Sequence, residues 1–147
     1  MNQLISRITL ASVVLASALV SSAPVAQTQP ASGGSYAIIF SESKDGFASR
    51  TNQNSSKYWQ AWTSYIGEMQ QAGKVESGSA LMGPETGIKI DSKGTHSIDS
   101  SRPSLSGYLV INADSMASAK AFALKSPAIG QGGTVEVRPL LPMEVKP

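Results

Sequence analysis

Short apolar and polar blocks follow one another from residue 36 onward, and their pattern predicts a small α+β domain. Apolar or alternating runs bounded by turn residues are typical of strands. Five such runs occur, at residues 36–40, 75–82, 87–91, 107–112 and 134–138. The polar stretches 41–56 and 92–106 separate some of these runs and are predicted to be loops.

Two amphipathic segments between the strands predict helices. The first follows residues 54–56, each of which can cap a helix, and Gly73 ends it. The second begins after Asp114 or Ser115, and Pro127 ends it because proline cannot continue the helical hydrogen bonds. The apolar stripe of the first helix comprises Trp59, Trp62, Ile66 and Met69, flanked by Tyr65 and Ala72.

We interpret the order of elements as β-α-β-β-α-β, the split βαβ arrangement of a ferredoxin-like domain, which has four strands where the pattern shows five runs. Both helices are expected to cover one face of the sheet with their apolar sides. Strand side chains alternate between the two faces, so Val135 and Val137 are predicted to meet the helices. Glu136 and Arg138 are then predicted to lie on the opposite face.

The face that carries Glu136 and Arg138 is a candidate interface. It is also expected to carry large apolar residues, either Tyr36, Ile38 and Phe40 or Tyr108 and Val110. A half-apolar face with two charges predicts a second subunit that encloses a cavity or forms an interface there. The alternative is that Glu136 and Arg138 are an in-strand ion pair that fixes the register of the strand.

The N-terminus has the layout of a secretory signal peptide. Arg7 is followed by an uncharged apolar run of 13 residues, Ile8–Val20, and then by small residues with cleavage predicted after Ala23 or Ala26. The run is short for a transmembrane span, and an uncleaved anchor is the alternative. The predicted division is a signal peptide at 1–26, a disordered tether at 27–35, the domain at 36–141 and a C-terminal tail at 142–147.

Composition limits the cellular compartments and the kinds of partner that we expect for this chain. The chain has no cysteine, so disulfides are excluded, and export without them favours a bacterial periplasm or secretion from a bacterium. Loss of Arg7 with the signal peptide leaves 11 basic against 10 acidic residues, and the basic residues do not cluster. We therefore expect no nucleic-acid partner. No second hydrophobic run of membrane length occurs, so we expect no stable membrane span after cleavage.

The chain resembles the YCII-related family, in the branch named for its Asp-Gly-Pro-Phe motif. The resemblance covers residues 36–140 and is carried by the segments YAIIF, WQAW, YIGEMQQAGKVESGSAL, GYLVINADSMASAKAFALKSPAIGQGG and TVEVRP. It implies a ferredoxin-like subunit that dimerises through its sheet into an α/β barrel with a polar pocket inside. Some members of the family are proposed to use a His–Asp pair for cofactor-free acid/base chemistry.

The chain departs from that family pattern where the chemistry would be expected. Residues 99–102 read Asp-Ser-Ser-Arg in place of the motif, and the first predicted helix has no histidine. His96, the only histidine, lies three residues before Asp99, so the two are weak candidates for a general-base dyad. The alternative is that both are polar residues of a turn-rich loop.

Other kinds of chemistry have weaker signals in the sequence. One histidine without cysteine or clustered carboxylates predicts no metal site, and no cofactor is expected. A serine nucleophile lacks the G-x-S-x-G motif. The Gly-Gln-Gly-Gly segment at 130–133 precedes a strand rather than a helix. This position favours a tight turn of the backbone over a phosphate-binding loop.

Two functions are compatible with the sequence. The first is an exported homodimer that binds a small molecule or a partner in a sheet-side cavity without catalysis, with Glu136, Arg138, Tyr108 and Trp62 as candidate ligand-binding residues. The second is a cofactor-independent lyase or isomerase that transfers protons through Asp99 and His96 or through Glu136 and Arg138. The eroded motif and the missing helix histidine favour the first.

Overall fold

A computed structural model describes residues 33–142 of the 147-residue chain. Within that range the protein is a mixed α+β domain with antiparallel sheets, as the sequence predicts. The predicted signal peptide at 1–26 lies outside the described residues, as do residues 27–32 of the predicted tether and 143–147 of the tail. No helix between residues 33 and 142 is long and apolar enough to cross a membrane.

The described residues form strands, helices and one 3-10 turn at Pro84–Thr86. In chain order the strands and helices are β1 (Gly34–Glu42), α1 (Lys44–Ala48), α2 (Ser55–Gln71), β2 (Val75–Ala80), β3 (Ile88–Asp91), β4 (Gly94–Ser97), β5 (Ser104–Ala113), α3 (Met116–Ala123), α4 (Pro127–Gly130) and β6 (Thr134–Pro139). β1 begins two residues before its predicted start, so Gly34 and Ser35 are strand residues.

Four strands form the main sheet, in the order β2-β5-β1-β6 with antiparallel neighbours. β3 and β4 form a separate two-stranded hairpin between β2 and β5. The predicted strand at residues 87–91 therefore exists but does not belong to the main sheet. Its partner β4 lies in a stretch predicted to be a loop, and so does the short helix α1.

The core lies between one face of the main sheet and the helices α2 and α3. β1 alternates between partly exposed and buried residues from Ser35 to Glu42, and β5 follows the same period from Leu109 to Ala113. Val135 and Val137 pack against this core, which confirms their predicted direction. The buried apolar residues are Tyr36, Ile38, Phe40, Tyr58, Trp62, Tyr65, Met69, Leu109, Ile111, Ala113, Ala119, Ala123 and Ala128.

The other face of the main sheet, which we call the open face, points away from the helices. Glu136, Ile39 and Tyr108 are directly paired across β6, β1 and β5, and Arg138, Ala37 and Val110 form the next row. Tyr108 and Val110 thus share a face with the two charges, as one of the two predictions had it. The other prediction was wrong, because Tyr36, Ile38 and Phe40 alternate onto the helix-covered face and are buried there.

Local signals set the ends of the two long helices. Gly73 adopts a left-handed conformation with φ of 64°, and the N–H of Lys74 donates to Met69 O at 2.9 Å, which ends α2. The Ser115 hydroxyl accepts from the Ser118 N–H at 3.1 Å and caps α3. α3 ends at Ala123, and Pro127 opens the short helix α4 instead of directly ending α3.

Candidate ligand-binding site

A cavity of about 430 Å³ lies between α2 and the outer strand β2. It exists because the strand positions beneath α2 carry little or no side chain. Gly78 and Ala80 pair with Leu109 and Gly107, so they face the helices, and Gly107 extends the gap into β5. The space that larger side chains would fill is left open under the helix.

Aromatic and aliphatic side chains from α2 and β1 form one wall of this cavity. Trp62 packs edge-on against Phe40, with ring centroids 4.9 Å apart. Trp59 also lines the cavity but is 44% exposed, so it lies at the rim. Its indole N–H donates to Arg50 O at 3.1 Å, and its ring meets Tyr58 edge-on at 4.9 Å. The rim ring is therefore held in place before any ligand arrives.

A buried polar cluster of Glu42, Arg50 and Tyr58 closes one end of the cavity. Glu42 is fully buried at the end of β1, and its Oε2 accepts from Arg50 Nη2 at 2.9 Å and Nε at 3.2 Å. The Tyr58 hydroxyl donates to Glu42 Oε1 at 2.9 Å and accepts from Arg50 Nε at 2.9 Å. Arg50 Nη2 also donates to Ser106 O at 3.0 Å, and Nη1 donates to Leu81 O.

The cluster compensates its own charge. Burial and the neighbouring Glu42 carboxylate raise the pKa of Tyr58 to about 12, so its hydroxyl stays protonated at neutral pH and keeps donating. The Arg50 guanidinium also lies 4.6 Å from the centre of the Phe47 ring, a cation–π distance. Arg50 thus joins β1, α2, β5 and the end of β2 around a neutral ion pair.

Polar groups on the side of β2 complete the lining. Ser77 and Ser79 belong to the lining on this edge strand, with side chains that alternate away from the helices, and Gln70 belongs to it in the last turn of α2. Glu76, also in the lining, accepts from the Ser35 hydroxyl at 2.8 and 3.1 Å. The indole N–H of Trp62 is buried and has no hydrogen-bond partner among residues 33–142. A mixed lining of rings and a few polar groups is typical of small-molecule sites, which measure about 300–1,000 Å³.

The four residues predicted to bind a ligand fall into two groups. Trp62 and Tyr108 are both among the residues around this cavity, although the side chain of Tyr108 alternates onto the open face. Glu136 and Arg138 lie on the open face, where Arg138 Nε donates to Glu136 Oε2 at 2.9 Å and both side chains remain more than half exposed. Within the described chain these two charges satisfy each other, in the geometry of an in-strand pair.

The predicted His96–Asp99 dyad is not formed. His96 lies on the exposed hairpin, with its Nε2 3.2 Å from Asp91 Oδ1. Asp99 instead accepts from the hydroxyl and the backbone N–H of Ser101, and these bonds lower the pKa of its exposed carboxyl. The register of the hairpin explains why Asp91 is the partner of His96. His96 pairs with Lys89, and Asp91 lies two residues after Lys89 on the same strand. No group of three or more potential metal ligands occurs among residues 33–142.

Sequence reasoning missed Glu42 and Arg50, although one signal pointed to Glu42. Residues 36, 38 and 40 alternate onto the buried face, and continuing the period by two places Glu42 on that face as well. A carboxylate at a buried position predicts a cationic partner. Arg50 itself gave no comparable signal, because it lies in an irregular stretch after α1.

Comparison with models of known protein families and with curated proteins finds no match for this chain. The cavity and the buried cluster beside it are therefore the features that bear on function.

Proposed function

We propose that this protein is an exported, YCII-like domain that binds a small molecule without transforming it. The observation that carries the proposal is the cavity under α2, whose polar end is a saturated ion pair rather than a reactive group. The resemblance of residues 36–140 to the YCII-related family supports the choice of family. Export to a bacterial periplasm or beyond is proposed from the N-terminal signal-peptide pattern.

We assign the domain to the ferredoxin-like class. In that class the two outer strands of the sheet are the second and fourth of a βαββαβ unit. The order β2-β5-β1-β6, with α2 and α3 on one face, fits this arrangement when β3 and β4 are treated as an insertion. The insertion accounts for the additional strand at residues 87–91 that the sequence pattern contained.

The ligand site that we propose differs from the site expected from the sequence. A sheet-side site between two open faces would need a second subunit to enclose it. The cavity under α2 is on the other side of the sheet and is lined by one chain alone. Trp62 remains part of the proposal because its ring packs in this lining, whereas the side chain of Tyr108 lies on the open face with Glu136 and Arg138.

Binding without catalysis is favoured over acid/base chemistry by the groups that line the cavity. Arg50 and Tyr58 are occupied with Glu42, and the raised pKa of Tyr58 makes its hydroxyl a poor acid or base near neutral pH. His96 and Asp99 are not among the lining residues. A proton-transferring enzyme would need a free group with a pKa near the working pH at the ligand.

Co-purification tests this proposal. The protein would be purified from its native source and examined by native mass spectrometry, together with the variants Ala80→Phe, which fills the cavity, and Leu124→Phe, a matched change on the exposed end of α3. We expect a bound small molecule in the wild type and in Leu124→Phe, and its loss from Ala80→Phe. A molecule retained by a folded Ala80→Phe variant would show that the cavity is not the site.

A further inference from the structure

We infer that the ligand of the cavity under α2 is an uncharged, flat aromatic molecule. The inference rests on the proposed function, because it names the class of molecule that this cavity would take. Three features carry it: the neutralised guanidinium, the exposed rim ring, and the floor of small residues opposite that ring.

The guanidinium of Arg50 has little capacity left for an anion. Its Nε–H is shared by Glu42 and Tyr58, its two Nη2–H groups are directed at Glu42 and Ser106 O, and Nη1 donates to Leu81 O. A carboxylate or phosphate binds arginine best through two parallel N–H groups. Such a ligand would have to displace Glu42, which would leave a fully buried carboxylate without its partner.

The cavity offers a cation no buried partner either. Arg50 and Glu76 are the two charged residues of the lining. Glu76 is exposed on the edge strand, where an ion pair contributes little because water screens it. Glu42 is fully buried and already accepts from both Arg50 and Tyr58. A charged ligand of either sign would therefore lose its hydration without gaining an ion pair of comparable strength in the cavity.

The shape of the cavity favours a planar ring. Trp59 presents a partly exposed ring that its bond to Arg50 O keeps fixed, so stacking on it costs little side-chain entropy. Opposite α2, Gly78, Ala80 and Gly107 provide a floor with almost no side chains. A flat molecule can lie between a fixed ring and such a floor, and offset or edge-on aromatic pairs add to the burial of apolar area.

Binding of a matched set of probes tests the ligand class. The set is 2-naphthol, 2-naphthoate and 2-naphthylmethylamine, which share one ring system and differ in charge at pH 7, with decahydro-2-naphthol as a neutral molecule that is not flat. Dissociation constants would be measured by isothermal titration calorimetry. We expect 2-naphthol to bind at least about tenfold more tightly than either ion, as the uncompensated burial of a charge demands. The saturated alcohol should bind more weakly than 2-naphthol.

Three variants separate this inference from the proposed function. Trp59→Ala should weaken 2-naphthol about threefold to tenfold, the strength of one aromatic pair, while Leu124→Ala should leave it unchanged. Tighter binding of 2-naphthoate, abolished by Ala80→Phe, would overturn the neutral class but keep the cavity as a site. Binding that Ala80→Phe does not alter would overturn the site itself. No measurable binding of 2-naphthol to the wild type would count against the ligand class.

Discussion

Glu42 lies on the buried face of β1, where the preceding alternate residues are all apolar. It follows Tyr36, Ile38 and Phe40 on the same buried face, and its carboxylate is completely excluded from solvent. A buried charge is costly unless a partner and hydrogen bonds compensate it. Arg50 and Tyr58 supply both, so the end of β1, the stretch after α1 and the first turns of α2 are tied together by one cluster.

Removing one partner of this cluster should be far more costly than removing a partner of an exposed pair. Glu42→Gln leaves the Arg50 charge buried with a neutral amide, and we expect a loss of about 3–5 kcal/mol in the free energy of unfolding. Glu136→Gln is the matched control, because it breaks the exposed pair with Arg138 by the same chemical change. That control should cost at most about 1 kcal/mol in the same denaturant titration.

A double-mutant cycle measures the interaction between Glu42 and Arg50 separately from the penalty of leaving either charge isolated. Arg50→Met alone leaves Glu42 buried and unpaired, whereas Glu42→Gln with Arg50→Met removes both charges. We expect the double variant to be less destabilised than the sum of the two single variants, because each single variant includes the penalty of an isolated charge. Additive effects, or a loss below about 1 kcal/mol for Glu42→Gln, would contradict the role given to the cluster.

At the scale of elements, α2 shows how much of a buried helix face can be predicted from a hydrophobic stripe in the sequence. Its length and its end at Gly73 agree with the prediction, and so do the buried positions of Trp62 and Met69. The stripe is rotated, however, because Tyr58 is buried against Glu42 while Trp59 turns to the rim. Periodicity cannot distinguish two neighbouring aromatic residues when a polar partner from another strand decides between them.

The elements that sequence reasoning missed share a different cause. α1 and β4 are short and polar, and both are exposed at most positions. Hydrophobic periodicity predicts an element only where one of its faces is buried. α1 is held instead by the Ser43 hydroxyl, which accepts from the Gly46 N–H at 3.2 Å, and β4 by its pairing with β3.

The floor of the cavity depends on glycine at one position of β2. A Cβ at residue 78 would lie 2.5 Å from Leu109 Cδ2 and 2.7 Å from Tyr108 O, so Gly78→Ala should cost about 1–3 kcal/mol of stability. Gly67→Ala, inside α2, is the control for a glycine with nothing within 4 Å of the added atom. It should raise stability by about 0.5–1 kcal/mol, since alanine favours the helix.

Chemical denaturation of the two glycine variants distinguishes packing from backbone entropy. If close approach of β2 and β5 is what requires glycine, the two substitutions change the unfolding free energy in opposite directions. Equal effects in the two variants would mean that the strand tolerates a side chain at residue 78 and that the floor is not tightly packed.

At the scale of the whole molecule, much apolar surface of the chain is still exposed. The hairpin of β3 and β4 carries Ile88 and Ile90 at 64% and 70% exposure. The open face carries Leu105 and Tyr108, both more than a third exposed, beside Glu136 and Arg138. The sequence predicted the apolar and charged character of the open face from alternation alone. It did not predict the hairpin, whose strands pair only with each other among the described residues.

The open face is where we expect a second copy of the chain, because one face of the main sheet is otherwise left half-apolar in water. Arg138→Glu would set two carboxylates side by side at Glu136 and residue 138 and repel the same pair on the partner. We expect the dimer to weaken at least about tenfold, since like charges across an interface cost several kcal/mol. Sedimentation velocity over a range of protein concentrations would measure this change.

Two companion variants decide what a weakened dimer means. Exchanging the charges in Glu136→Arg with Arg138→Glu restores the in-strand pair, so recovery of the dimer would trace the effect to that pair. Lys93→Glu makes the same change of charge in the turn of the hairpin, away from the open face, and should leave association unchanged. A wild-type chain that sediments as a monomer, or an Arg138→Glu variant that associates as tightly as the wild type, would mean that the open face is a solvent surface.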